Sequence, residues 1–133
     1  MVVALVAMLA AAQAPAESAP GKMTQREFKR LAAASKVVIV DVRNASNFRD
    51  GHIPRAISLP FDGTPWSAAY DEAVETLKAA AKPVVVYCAC KGETQALNAA
   101  YKLSEHGLSD VRVLVGGWND WFNNHNRVAR GPK

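Results

Sequence analysis

The sequence predicts an α/β protein built on a central, mainly parallel sheet of four to five strands. Two continuous apolar runs, Val37-Val38-Ile39-Val40 and Val84-Val85-Val86-Tyr87, have the composition of strands buried on both faces. Stretches with helical spacing lie between the strand-like runs, as in βαβ units, so helices are expected on both faces of the sheet. The size agrees: 133 residues, half of them apolar and 21% charged, make one domain with a proper core.

Val2 to Ala12 is an uncharged, Ala-rich run. It is too short to span a bilayer as a helix. Its length suits the core of a signal peptide, and Ala14-Pro15-Ala16 supplies the small residues of a cleavage site. Met1 is followed directly by Val2, so the usual positive leader segment is missing. Glu17 to Lys22, with Pro20 and Gly21, reads as a linker. The expectation is a signal-like or anchor segment plus linker over 1–21 and a folded domain over 22–133. That implies export to the periplasm, with no stable membrane insertion after signal removal, or a cytoplasmic location if the segment is not a signal.

The first helix is expected at Thr24-Gln25-Arg26-Glu27, a capping box. Phe28, Leu31 and Ala32 continue it on one face, and Ser35-Lys36 ends it. The strand at Val37 to Val40 follows. Ala56 to Leu59, bounded by Pro54 and Pro60, is a shorter strand. Ala68 to Ala81 is helical, the strand at Val84 to Tyr87 follows Pro83, and Thr94 to His106 is a helix closed by Gly107. Val111 to Val115 is the last strand and Trp118 to Asn123 the last helix.

The net charge is +4, which suits small anionic substrates. No Lys/Arg run has the length that nucleic acid binding would need, and Arg26, Lys29 and Arg30 form a solvated helix face. The two cysteines, Cys88 and Cys90, make neither a disulfide framework nor a four-ligand zinc site.

In a parallel sheet all strand C-termini share one edge, where ligands bind. Asp41-Val42-Arg43, Cys88-Ala89-Cys90-Lys91-Gly92-Glu93 and Gly116-Gly117-Trp118 each follow a strand, so they are expected to converge there. The middle stretch carries the chemistry. A cysteine at a strand end, followed by a Gly-containing loop and a helix start at Thr94, is an arrangement for a thiolate. Loop N–H groups and the positive helix end both favour an anion, and Lys91 adds a cation. Such surroundings lower a thiol's pKa from about 8.5 to below neutrality. A thiolate of this kind attacks a sulfur donor and holds the terminal sulfur as a persulfide.

Asp41-Val42-Arg43, Phe48 and the run from Gly51 to Pro60 together resemble the first signature of the rhodanese family. Val84 to Cys88 with its loop is similar to the family's active-site segment, and Gly116-Gly117-Trp118-Asn119-Asp120-Trp121 resembles its closing signature. The resemblance covers Lys22 to about Asn123. It implies the three-layer rhodanese-like fold, a persulfide on Cys88, an anion-cradling loop of Ala89, Cys90, Lys91, Gly92, Glu93 and Thr94, and no metal or organic cofactor. The expected partners are a small anionic sulfur donor and a thiol or protein acceptor, and the protein is expected to be a monomer.

The loop departs from the family pattern. Many members have Gly three and Arg five residues after the cysteine; here Gly92 is at four and Glu93 at five. A carboxylate thus stands where a substrate-binding cation is common, which puts thiosulfate in doubt as the preferred donor. Glu93 has a plainer role open to it as a helix cap. Cys90 has two readings, a thiol that resolves a persulfide as an internal disulfide or a side chain that points away. The tight ring of a bridge across one residue favours the second. Asp41 and Arg43 are expected to pair and prop the strand end. Trp118 packs or lines the pocket rim, Trp66 and Trp121 pack, and His52 is a turn residue bonded to nearby backbone.

Three function classes remain. A sulfurtransferase that moves sulfane sulfur through Cys88 to a thiol or to cyanide is the leading one. A phosphatase of this fold needs Arg six residues after the cysteine, and Thr94 stands there. A non-catalytic binding or sensing module, or a thiol redox protein using Cys88 and Cys90, is the alternative.

Overall fold

A computed structural model describes residues 20–132, so nearly all of the signal-like segment expected over 1–21 lies outside the described residues. Among them, five strands form one sheet: Gly21–Met23 (β1), Val38–Asp41 (β2), Ile57–Ser58 (β3), Val84–Tyr87 (β4) and Val111–Leu114 (β5). All pairings are parallel, in the spatial order β1-β5-β4-β2-β3. The helices are Gln25–Ala33 (α1), Ala45–Asp50 (α2), Ala68–Ala79 (α3), Thr94–Glu105 (α4) and Gly117–Asn123 (α5).

The period of two along a strand sorts side chains onto two cores. Val40, Val84, Val86, Val111 and Val113 pack on one face with Val74 and Leu77 of α3 and with Ala96, Ala99, Ala100 and Leu103 of α4. Ile39, Val85, Tyr87 and Leu114 pack on the other face with Phe28 of α1, Phe48 of α2 and Trp121 of α5. The result is three layers, helices on both faces of a fully parallel sheet, as the continuous apolar strands predict.

Two elements differ from the sequence expectation. Gly21 and Lys22, read from the sequence as part of the linker, belong to β1, a strand that precedes the helix expected at Thr24. The strand is short, and of its residues only Met23 is buried, so it carries no pattern. What makes it a strand is its pairing beside β5, Lys22 against Val113. The other is α2, which is under two turns long and buries one residue, Phe48. No helical period is visible over that length; its signal is Asn44, whose Oδ1 accepts the Asn47 N–H at 2.8 Å as an N-cap. The expected cap at Thr24 forms, with Oγ1 accepting from Glu27 N at 3.2 Å.

Register brings the site segments together. Asp41 at the end of β2 lies beside Tyr87 at the end of β4, and Val86 beside Val113 of β5. Asp41-Val42-Arg43, Cys88 with its loop, and Gly116-Gly117-Trp118 therefore emerge at one sheet edge.

Candidate active site

The foundation of this edge is a buried polar network. Arg43 reaches back two residues to Asp41, with Nε at 3.1 Å from Oδ1 and Nη2 at 2.7 Å from Oδ2. Nη2 also donates to the Gly51 carbonyl at 2.7 Å. The Tyr87 hydroxyl donates to Asp41 Oδ2 at 2.7 Å and accepts the Ile53 N–H at 3.1 Å. Asp41 is fully buried and Arg43 nearly so. A buried pair of this kind is tolerated when its remaining lone pairs and protons find partners, and here the partners hold the segment that begins at Gly51. Burial, and then the adjacent Asp41 charge and hydrogen bond, push the Tyr87 phenol well above its ordinary range, so it stays a neutral donor. The Arg43 guanidinium lies over the Trp118 ring, 4.3 Å from its centroid, which joins the network to α5.

His52 is fully buried, stacked on Phe48, with Nδ1 at 2.8 Å from the Phe48 carbonyl. This is the backbone-bonded turn residue the sequence suggests. His106 stacks on Trp66 at 3.7 Å, on the far side of the sheet from this network.

Cys88 follows β4 and is 1% exposed. Its carbonyl accepts the Trp118 N–H at 2.9 Å. The expectation that Cys90 points away is corrected: its Sγ is bonded to Cys88 Sγ, with the Cα atoms 5.7 Å apart. That separation is ordinary for a disulfide. The backbone allows it because Cys90 is extended, and the chain then turns sharply through Gly92 and Glu93, both left-handed, into α4. In this form the first turn of α4 supplies its N–H to the second sulfur, Gln95 N to Cys90 Sγ at 3.3 Å. The sequence reading aims the loop at Cys88; the hydrogen bond from the helix start falls on Cys90, which is only half-buried.

The rest of the loop is tied down from α5. Glu93 neither caps α4 with its side chain nor points to a sulfur; its Oε1 accepts the Gly116 N–H at 2.9 Å. Asn119 Nδ2 donates to the Ala89 carbonyl at 3.0 Å. Gly117 has a φ of +49°, and a Cβ there would collide with the Cys88 carbonyl oxygen, so the close approach needs glycine. Ala89, Lys91, Gly92 and Thr94 are exposed. The cation of Lys91 is thus at the rim of the loop.

A cavity of about 420 Å³ opens beside the loop, lined in part by Arg43, Asn47, Asp62, Ala89, Cys90 and Gln95. Cys90 is the sulfur on its wall. A larger cavity of about 530 Å³, with Lys29, Arg55, Lys82 and Arg127 on its lining, includes neither cysteine nor any residue of the loop. Sequence reasoning passed over two residues here. Gln95 holds Cys90 and, through Nε2, the Val42 and Phe61 carbonyls at 2.8 and 2.5 Å. Tyr87 bridges Asp41 to Ile53. For Tyr87 a signal existed, since a tyrosine ending a buried strand needs a partner for its hydroxyl. Gln95 had none beyond its place in the first turn of a helix.

A reducible sulfur pair at the ligand-binding edge of a parallel sheet can accept and return two electrons. When open, it presents a nucleophilic thiol at a strand end.

The family model for the rhodanese-like domain matches residues 24–124. The thiosulfate:glutathione sulfurtransferase of Saccharomyces cerevisiae is 35% identical over 95 residues, which is 64% of this chain and 64% of that protein. The adenylyltransferase and sulfurtransferase MOCS3 of Aedes aegypti is 31% identical over 106 residues, 77% of this chain but 24% of that protein. The chain thus spans just under two thirds of the yeast relative and about a quarter of the mosquito one. Among solved structures, the BH2092 protein of Bacillus halodurans superposes with a TM-score of 0.71 over 84% of this chain and 78% of that one, at 24% identity, a likeness of fold.

Proposed function

This chain belongs to the rhodanese-like domain family, and on that premise we propose that it is a sulfurtransferase that carries sulfane sulfur as a persulfide on Cys88. The observation that carries the reading is the position of Cys88. It leaves β4 at the edge where the three signature segments meet, with its backbone held by Trp118. The family model spans this region, and relatives of the chain are named as sulfurtransferases.

The reaction is a two-step exchange. The Cys88 thiolate attacks the sulfane sulfur of thiosulfate or of a persulfide, and sulfite or a thiolate leaves. A thiol, a protein thiol or cyanide then takes the terminal sulfur and frees the thiolate. Asp41 and Arg43 fix the strand end, Trp118 covers it, and the loop from Ala89 to Thr94 is the anion-holding wall. The carboxylate of Glu93 disfavours a doubly charged donor such as thiosulfate relative to a persulfide. Export to the periplasm remains part of the reading through residues 1–16, and N-terminal sequencing of the protein from its native cells tests it.

Mass spectrometry of the reduced protein after donor treatment tests the carrier step. A gain of one sulfur, about 32 Da, is expected on Cys88 of the Cys90→Ser variant and is absent from Cys88→Ser. An adduct on Cys90 of the Cys88→Ser variant, or none on Cys88 of Cys90→Ser with either donor, defeats the reading.

The Cys88–Cys90 bond favours a second reading, a thiol redox protein that cycles between dithiol and disulfide without carrying sulfur.

A further inference from the structure

We infer that Cys90 is an internal resolving thiol, so that the sulfur carried on Cys88 leaves as hydrosulfide and the Cys88–Cys90 disulfide is an intermediate of the cycle. The inference rests on the sulfur-carrier reading above and goes beyond it, because it names an acceptor inside the chain and a product.

Three observations meet on Cys90. Its sulfur is within bonding reach of Cys88 Sγ with the backbone in place. Its Sγ, not that of Cys88, takes the Gln95 N–H at the start of the twelve-residue helix α4, where negative charge on sulfur is favoured. It also stands on the wall of the cavity of about 420 Å³, while Cys88 lies beneath it.

The step balances as follows. The Cys90 thiolate forms a bond to Cys88 Sγ. The bond from Cys88 Sγ to the carried sulfur breaks, and that sulfur departs as hydrosulfide with the persulfide proton. The sulfane sulfur has gained two electrons and the two cysteines have lost them. An attacking thiol already attached to the chain has a large advantage over one from solution.

Regeneration needs two equivalents of a reducing thiol. Access directs the first to Cys90 Sγ, giving a mixed disulfide there and releasing Cys88 as the thiolate that meets the next donor. The second thiol frees Cys90 and departs in a disulfide with the first. The net change converts one sulfane sulfur and two thiols into hydrosulfide and one disulfide.

The test compares the reduced wild type with Cys90→Ser, each given one equivalent of thiosulfate, which leaves sulfite, or of glutathione persulfide, which leaves one equivalent of glutathione, with no further thiol added. Expected for Cys90→Ser is a persulfide that stays on Cys88. Expected for the wild type is no retained sulfur, both thiols consumed, and one equivalent of hydrosulfide released at least ten times faster than from the variant. A wild type that keeps the persulfide as long as Cys90→Ser does, with the Cys90 thiol free, overturns the resolving role and leaves the carrier reading standing. If neither protein takes sulfur on Cys88, both ideas fall together.

Discussion

Glu93 accepts the Gly116 N–H at 2.9 Å, so the loop that leaves Cys88 is tied to the start of α5, 23 residues further along the chain. The carboxylate at the position where a cation is common in this family is thus engaged in holding the loop. Its charge also stands within the sulfur loop, where the proposed function has an anionic donor approach.

Replacement of that residue separates the two effects. Glu93→Gln keeps an acceptor for Gly116 N and removes the charge. It is expected to lower the KM for thiosulfate several-fold while leaving that for a neutral persulfide donor unchanged, with stability within about 0.5 kcal/mol of wild type. Glu93→Ala removes the acceptor as well and is expected to cost about 1 kcal/mol. Donor-dependent loading kinetics and denaturant titrations measure both. A thiosulfate KM that does not fall in Glu93→Gln would show the charge to be irrelevant to donor choice.

Gly117 sits where a side chain has no room. Gly117→Ala would place Cβ against the Cys88 carbonyl at a left-handed φ of +49°. A loss of about 2 kcal/mol or more is expected, together with slower sulfur loading, since Cys88 must shift. Thermal or urea unfolding gives the first quantity and single-turnover loading the second. An alanine variant as stable as wild type contradicts the close packing.

Tyr87 gives the protein an alkaline limit. Its phenol is raised in the folded chain above the ordinary value near 10, chiefly by burial and then by Asp41. A raised pKa stabilises the folded state fully below the unfolded value. Above about pH 10 the unfolded chain loses the proton while the folded one keeps it, so stability declines as pH rises. Urea unfolding between pH 8 and pH 11 is expected to show that decline. Tyr87→Phe is expected to cost about 1–3 kcal/mol at neutral pH, through the unmatched Ile53 N–H, and to flatten the alkaline slope. An unchanged slope in the variant would assign the decline to another group.

Much of this fold is written in local pattern. The runs ending at Val40 and Tyr87 are continuous because both faces are covered, and that continuity is visible without a structure. The convergence of Asp41, Cys88 and Gly116 then follows from parallel strands alone. What local pattern does not carry is pairing. Gly21–Met23 becomes a strand because β5 lies open beside it. Cys90 meets Cys88 with its own backbone extended, and the chain then turns through two left-handed residues, Gly92 and Glu93; a non-glycine residue in that conformation is not announced by its type. The roles of Gln95 and of the Gly116 amide likewise depend on partners far away in sequence.

The strand order β1-β5-β4-β2-β3 places the first and last strands side by side at one end of the sheet. A chain emerging during synthesis therefore cannot complete its sheet until Val111–Leu114 has appeared. Until then both Gly21–Met23 and the β4 edge that leads to Cys88 lack their neighbour, and unpaired edges invite pairing with other chains. The fastener on the sulfur loop, Gly116 to Trp118, comes off the ribosome just behind that strand. Truncations that stop before Val111 should accordingly yield aggregates with accessible, readily cross-linked thiols rather than a smaller working domain.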